Sequence, residues 1–390
     1  MIAQSGTYVT ESTAGETYQA FVPNALPPSP DVLVLEFADM ELLEEANRAL
    51  GRLDGVPDLF PDLDTNLFNF LFVRKEALLS SQIEGTQSSF SDLLLFEEEL
   101  VPASDDVLEV SNYVVALDHG IRRIREDDFP LSNRLIKEMH ALLLRSGRGS
   151  DKLPGQFRRT PVWLGGSRPS RAVFVPPPWT MVDDKMSELE AFLHDRDAQI
   201  PTLVKAALIH AQFETIHPFL DGNGRLGRLL ITLYLCAHRV LAEPLLYLSL
   251  FFKENRSEYY TRLQGIRRDD DWIGWTRFFL RGVVEVAAEA SLSAKRIRRV
   301  FEEDREKIEA AGRAGMTMAR VHDLLKRRAV IDVIGAATLL ELTPPTVRSA
   351  LDAMTQMGLV REMTGRKKDK RYTYDRLLHI LEEGTEPLPR

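Results

Sequence analysis

The stretch HPFLDGNGRLGR, from His217 to Arg228, decides how this 390-residue chain is read. An apolar helical run, Leu203 to Thr215, leads straight into it. Pro218 disfavours the α conformation at His217, so that helix is expected to stop there. Gly222 and Gly224 flank Asn223 in a tight turn, and the spacing of Leu226, Leu229, Leu230 and Leu233 predicts a second helix. Helix, glycine turn and helix make an anion cradle, because the turn's N–H groups point inward and the new helix presents the positive end of its dipole. Arg225 and Arg228, one turn apart, add cationic donors suited to phosphate oxygens. Asp221 can hold a divalent cation against those phosphates, and His217 can take a proton near neutral pH. Read blandly, the same residues are a tight turn, a helix-end histidine and a solvated basic face. Five distinct chemical roles in order within a dozen residues favour phosphate chemistry.

At these residues the chain resembles the Fic/Doc family, whose motif HPFx[D/E]GNGRxxR it matches at every specified position. Proteins of that family usually transfer AMP from ATP to a target hydroxyl and release pyrophosphate. The resemblance implies that His217 deprotonates a Tyr, Thr or Ser of a target protein and that Asp221 binds Mg²⁺. It implies that the Gly222-Asn223-Gly224 turn with Arg225 holds the α- and β-phosphates of ATP, and that Arg228 meets the γ-phosphate. His217, Asn223 and Arg228 are then the catalytic set. Related kinases carry a lysine where Gly224 stands, so the glycine favours AMP transfer.

A second segment joins this reading. Residues Asp62 to Asn66 offer N-caps for a helix running to Glu84, with Gly85 suited to the position after its end. A helix C-terminus prefers cations, so Glu84 in the last turn costs about 0.3–1 kcal/mol. Ser80-Ser81-Gln82-Ile83-Glu84-Gly85 resembles the inhibitory motif [S/T]xxxE[G/N] that accompanies Fic domains. The resemblance implies that Glu84, with Ser80 opening the motif, pairs with Arg228. A carboxylate there occupies the donor fork the γ-phosphate needs and repels it.

Composition sets the outer bounds. Hydrophobic residues at 44% and charged residues at 27% are ordinary for a globular protein with a large core. A net charge of −9 argues against a surface that coats nucleic acid, while permitting a local basic patch. The single cysteine, Cys236, excludes an intramolecular disulfide and a cysteine-rich zinc site. The N-terminus lacks the pattern of a signal peptide, and the most apolar region, Leu229 to Phe252, is broken by His238, Arg239, Glu243 and Pro244. A cytoplasmic protein without a membrane span is the expectation.

The remaining chain reads as helices with two exceptions. Residues 1 to about 30 are polar and then proline-rich, and an extended arm is expected. Val162 to Leu164 and Ala172 to Val175, separated by Gly165 to Pro169, predict a hairpin. In the family the corresponding flap aligns the target's hydroxyl over the motif, so the 162–175 hairpin is the expected docking edge for the target protein. After the motif, Glu254 to Gln264 forms a helix. Family resemblance makes Asn255 with Tyr259 or Tyr260 the adenine-pocket residues, although an aromatic stripe is more often core. His119, His140 and His210 read as structural. Trp272 to Ala288 is a further helix, and Ala294 to Arg313 a charged connector. Residues 316–390 resemble a winged helix: helices Arg320 to Arg328, Ile334 to Glu341 and Thr346 to Met357, then two strands joined by the basic Arg366 to Lys370. Arg348 and that wing can touch DNA, while the same module also serves protein contacts.

The expectation is therefore a mainly α protein: an N-terminal arm and inhibitory region (1–105), a Fic core with a β-hairpin flap (106–293), a connector (294–315) and a winged helix (316–390). Its expected function is protein adenylylation with ATP and Mg²⁺, restrained by Glu84. Self-modification and a homodimer remain open. The alternatives are another Fic transfer chemistry, AMP removal, or a DNA-binding regulator acting through the winged helix.

Overall fold

The computed structural model describes residues 5–13, 15–60, 66–97, 104–328 and 330–389. In chain order the elements are β1 (Gly6–Thr13), β2 (Glu16–Pro23), α1 (Phe37–Asp54), α2 (Asn66–Ile83), α3 (Phe90–Glu97), α4 (Asp105–Arg125), α5 (Asn133–Leu143), α6 (Val182–His194), α7 (Thr202–Ile216), α8 (Asn223–Ala237), α9 (Ser249–Glu254) and α10 (Arg256–Asp269). There follow α11 (Trp272–Ala310), α12 (Gly315–Leu325), β3 (Val330–Asp332), α13 (Val333–Leu339), α14 (Pro344–Gln356), β4 (Val360–Glu362), β5 (Arg371–Tyr374) and α15 (Asp375–Glu382).

Helices α7 and α8 form the centre. Every residue of α7 from Leu203 to Ile216 is buried, and Leu226, Leu229, Leu230 and Leu233 of α8 are at most 1% exposed. Each such leucine contributes about 1.5–3 kcal/mol by leaving water. Around this pair pack α2, α4, α5, α6 and α11. Their ends follow local chemistry. Ser104 caps α4 by accepting from Val107 N–H at 3.3 Å, acidic residues open that helix and three arginines close it. Ser132 caps α5 in the same way through Leu135 N–H. The N-caps expected for α2 at Asp62 to Thr65 lie outside the described residues; the helix runs from Asn66 to Ile83, and Gly85 takes a left-handed φ of +103° just beyond it.

Three expectations change. The N-terminal segment is not an extended arm but a two-stranded antiparallel hairpin, β1 paired with β2 from Gly6↔Pro23 to Thr13↔Glu16. Along β2, Tyr18 is buried between exposed neighbours and every residue from Ala20 to Pro23 is buried, an apolar end that the polar residues before it mask. Ser5 pins the start of the hairpin, its N–H donating to Asp270 Oδ1 at 2.6 Å. Second, the expected hairpin at 162–175 closes through one antiparallel bridge, Leu164 and Phe174 exchanging backbone hydrogen bonds of 2.8 and 3.2 Å. Its edge is partly taken by the chain itself, because Phe21 N–H of β2 donates to Val175 O at 2.9 Å. Third, α11 runs unbroken through the expected connector. Ala287, Ala290, Ala294, Ile297, Val300 and Phe301 continue one buried stripe, with no proline to end the helix.

The C-terminal unit is built as α12, β3, α13, α14 and the β4–β5 pair, with sheet order β3-β5-β4, an arrangement compatible with a winged helix. β3, which the sequence reading missed, is three residues long. After α15 the chain returns to the helix that carries Ser80. Gln82 Nε2 donates to Thr385 O at 2.7 Å, Lys253 Nζ to Gly384 O at 3.0 Å, and Arg296 forks onto Glu383 at 2.6 Å on both nitrogens. Among the described residues no helix is long and apolar enough to cross a membrane.

Candidate active site

The turn between α7 and α8 is set by backbone conformations that the sequence specifies. His217 ends α7 in the left-handed region at φ +50°, driven out of the helix by Pro218, and Gly222 starts α8 at φ +78°. Asn223 closes the loop: its side-chain amide donates to Phe219 O and its carbonyl accepts from Phe219 N–H, both at 2.9 Å. The Asn223 side chain is therefore occupied in holding the turn, and its backbone N–H is one of those that open α8. His140 braces the same turn from α5. Its Nδ1 accepts from Gly155 N–H at 2.8 Å, which leaves Nε2–H to donate to Asp221 O at 3.0 Å, and its ring stacks on Phe219. Burial pushes His140 down to about 4, so it stays neutral.

His217 stands at the mouth, its side chain 14% exposed. Burial first, then the cations Arg158 and Arg267, push its pKa down to about 3, so the imidazole is a free base at neutral pH. Arg158 is a residue the sequence reading missed. It is buried, donates through Nε to His217 O at 2.9 Å and through Nη2 to Pro177 O at 2.7 Å, and so ties the turn to the segment after the 162–175 bridge. An isolated arginine in Gln-Phe-Arg-Arg gives no local signal of that reach.

The two arginines of α8 are both buried, and their surroundings differ. Arg228 donates to Ser80 Oγ and Ser80 O at 2.9 Å each and to Glu84 Oε1 at 2.7 Å. The Glu84 carboxyl is 34% exposed and lies in the cradle, since a Cβ on Gly224 would stand 2.3 Å from its Oε1. Burial opposes its ionisation, but Arg228 first and then Arg225 outweigh that and hold it below the usual carboxylate range. Arg225 instead has Nη1 3.2 Å from Glu109 Oε2 and Nη2 3.3 Å from Asp221 Oδ1, while its buried Nε and Nη1 make no hydrogen bond. Glu109, also missed in the sequence, is itself fixed by a fork from Arg148 at 2.7 and 3.0 Å.

Asp221 is the residue that could hold a metal. Its Oδ1 takes Gly222 N–H and Arg225, and its Oδ2 takes no hydrogen bond among the described residues. No cluster of three or more ligating side chains occurs among the described residues. One carboxylate with a free oxygen beside a phosphate cradle fits Mg²⁺, which keeps most of its shell as water and substrate oxygens.

The adenine-pocket candidates separate. Tyr259 is 1% exposed, and its hydroxyl meets His210 Nε2 at 2.8 Å inside a stack with Phe252 and Trp275. It is a core residue, which corrects its assignment to the pocket. Tyr260, 43% exposed, is the ring of the pair that faces outward. Asn255 sits at the joint of α9 and α10 and donates to Phe251 O at 3.0 Å. His210 is structural, accepting from Tyr259 and donating to Gly227 O at 2.9 Å.

Residues 130–235, which hold the whole cradle, match the model of the Fic/DOC family, and residues 40–122 match the Fic/DOC family N-terminal model. The chain belongs to the Fic/DOC family. Its Fic region is similar to the protein adenylyltransferase Fic of Aedes aegypti, 27% identical over 265 residues that cover 65% of this chain and 50% of the relative. It is also similar to the protein adenylyltransferase fic-1 of Caenorhabditis elegans, 27% identical over 189 residues, 46% of this chain and 34% of the relative. The Fic chain thus spans half or less of the length of these relatives. Among solved structures, a Fic family protein from Desulfovibrio desulfuricans aligns over 88% of this chain and 97% of its own with a TM-score of 0.56 at 20% identity. A Fic-domain signalling protein from Bacteroides thetaiotaomicron aligns over 64% and 97% with a TM-score of 0.51 at 18% identity. At those identities the likeness speaks for the fold.

Proposed function

We propose that this Fic chain is a protein adenylyltransferase that moves AMP from Mg·ATP to a hydroxyl side chain of a target protein, held inactive by Glu84. The single observation that carries the reading is the occupied cradle: a carboxylate of the chain's own seated on Arg228 over Gly224, beside an Arg225 that Glu109 and Asp221 hold in ion pairs and whose Nε makes no hydrogen bond. A buried guanidinium nitrogen without an acceptor, as at Arg225 Nε, costs about 1–3 kcal/mol, and an anionic oxygen that reached it would relieve this.

In the proposed reaction His217 Nε2 takes the proton of the target hydroxyl. That oxygen bonds the α-phosphorus, the bond from the α-phosphorus to the bridging oxygen breaks, and pyrophosphate leaves. The N–H groups opening α8 and Arg225 hold the α- and β-phosphates, and Arg228 holds the γ-phosphate once Glu84 withdraws. Catalysis comes mainly from positioning and charge stabilisation. Asp221 would hold Mg²⁺, which supplies charge neutralisation at the phosphates. The target would dock beside the 162–175 segment, where Trp163 is 38% and Val173 64% exposed.

The test uses ATP labelled at the α-phosphate, Mg²⁺ and a cell lysate. Glu84→Gly should raise labelling, of the chain itself or of lysate proteins, and His217→Ala in that background should abolish it. Intact mass should rise by one AMP. Addition of phosphate alone, or labelling that survives His217→Ala, overturns the reading.

A further inference from the structure

Glu214 is a buried carboxyl at this site that the proposed reaction leaves without a task. It lies on the last turn of α7, three residues before His217, and is 7% exposed. Its Oε1 makes no hydrogen bond, and a Cβ on Gly227 would stand 2.5 Å from it, so the carboxyl lies against the backbone of α8. Its Oε2 is 3.9 Å from His217 Nδ1. Buried unpaired polar groups are few in native structures, and each calls for a physical explanation.

The groups facing Glu214 come from four elements. Arg228 reaches it from α8, Glu84 from the end of α2, Arg267 and Tyr259 from α10, and His217 from its own turn. Arg267 spends its donors on Thr215 Oγ1 through Nε at 3.1 Å and on Glu214 O through Nη2 at 3.3 Å, not on the carboxyl, while His217 faces both the Glu214 carboxyl and the Glu214 backbone carbonyl. Burial pushes Glu214 up to about 7, with Arg228 opposing and Glu84 reinforcing the rise. The group therefore titrates in the working range of an enzyme.

We propose that Glu214 is a positioning residue for adenylyl transfer: its carboxylate accepts from His217 Nδ1–H, leaves Nε2 bare to face the target hydroxyl, and balances the imidazolium formed when Nε2 takes the hydroxyl proton. Closing 3.9 Å to hydrogen-bond length needs about 1 Å of side-chain movement. Through the step Glu214 keeps its charge. The oxygen-to-phosphorus bond forms, pyrophosphate leaves, and His217 afterwards gives the proton to solvent. A carboxylate that fixes an imidazole tautomer and steadies its cation is how histidine bases are oriented in acyl transfer, and the same physics applies to a hydroxyl attacking phosphorus.

This inference rests on the adenylyltransferase reading, and the experiment keeps the two apart. In the Glu84→Gly protein, kcat and the KM for ATP are measured from pH 5.5 to 8.5 with Glu214 intact, as Glu214→Gln and as Glu214→Asp. The expected result is a kcat at least tenfold lower for Glu214→Gln, with loss of the acid limb and a KM for ATP changed less than twofold. Glu214→Asp should keep the limb at a reduced rate. An unchanged kcat–pH profile, or a KM that moves as much as kcat, overturns the proposal. If the Glu84→Gly protein labels nothing, the adenylyltransferase reading fails first, and ¹⁵N NMR of His217 at pH 8 still decides the pairing. The Nδ1–H tautomer should dominate with Glu214 present and lose its preference in Glu214→Met. The same tautomer mixture in both overturns the inference. Removing an unpaired buried carboxyl should leave melting temperature equal or higher, so loss of folding is not the expected confusion.

Discussion

Arg225 and Arg228 sit one turn apart on the same helix, equally buried, and meet opposite conditions. Arg228 spends its donors on Ser80 and Glu84. Arg225 is steadied at its tip by Glu109 and Asp221 and keeps Nε and Nη1 without hydrogen bonds. Arg228 is held by a carboxylate from the end of α2 that is partly exposed, and Arg225 by a buried carboxylate of α4 and by Asp221 of its own turn. In the proposed function, Glu84 then blocks only the part of the site at Arg228 and leaves the turn and Arg225 in place. On the proposed function, release would need no refolding of the turn, only withdrawal of one carboxylate that is already a third exposed.

The comparison breaks most visibly if the two arginines turn out equivalent. In the Glu84→Gly protein, Arg228→Ala should lower AMP transfer on the order of 10²–10³-fold, the usual cost of a preorganised donor to developing charge. In the parent chain the same substitution should change little, because Arg228 is already taken. Arg225→Ala should instead weaken nucleotide binding in both backgrounds, measured by fluorescence titration. A smaller effect follows from Glu109→Gln. Weakening the support of Arg225 should raise the KM for ATP roughly tenfold, about 1.4 kcal/mol, and leave Glu84 inhibition intact. Smaller again, Ser80→Ala removes one of three bonds to Arg228 and should raise basal labelling a few-fold.

The least effect concerns pH and stability. His140 and His322 at about 4, and His210 and His217 at about 3, are neutral in the fold but take protons near 6.5 when unfolded. Below about 6.5 the unfolded chain binds more protons, so these four groups make stability fall as pH drops toward 4. Glu76 and Glu214, raised to about 7, act in the opposite sense between about 4.5 and 7, but they are two against four. Thermal melts should therefore show a falling melting temperature from pH 6.5 to 5. A rise would mean the glutamates dominate.

What the sequence disclosed follows the range of the forces involved. The turn from His217 to Arg228 was legible because proline, two glycines and a leucine stripe act within a dozen residues. Glu84 was legible only through its motif, because its partner lies 144 residues away and no periodicity encodes that pairing. Arg158, Glu109 and Glu214 stayed hidden for the same reason: each acts through a contact made by packing. The N-terminal hairpin was misread because proline and polar residues hid a short apolar strand whose Tyr18 and Ala20 pack on the distant Val175. The unbroken α11 was misread because surface charge covered a continuous apolar stripe. Tyr259 was assigned by position in the family and turned out to belong to the aromatic core around His210.

The central claim, that Glu84 occupies the γ-phosphate's place on Arg228, is tested most directly by calorimetric titration of the parent and Glu84→Gly proteins with ATP and with AMP in Mg²⁺. ATP should bind Glu84→Gly at least tenfold more tightly, and AMP should bind both proteins equally. Equal ATP affinities, or an AMP affinity that rises as much as that of ATP, would contradict it.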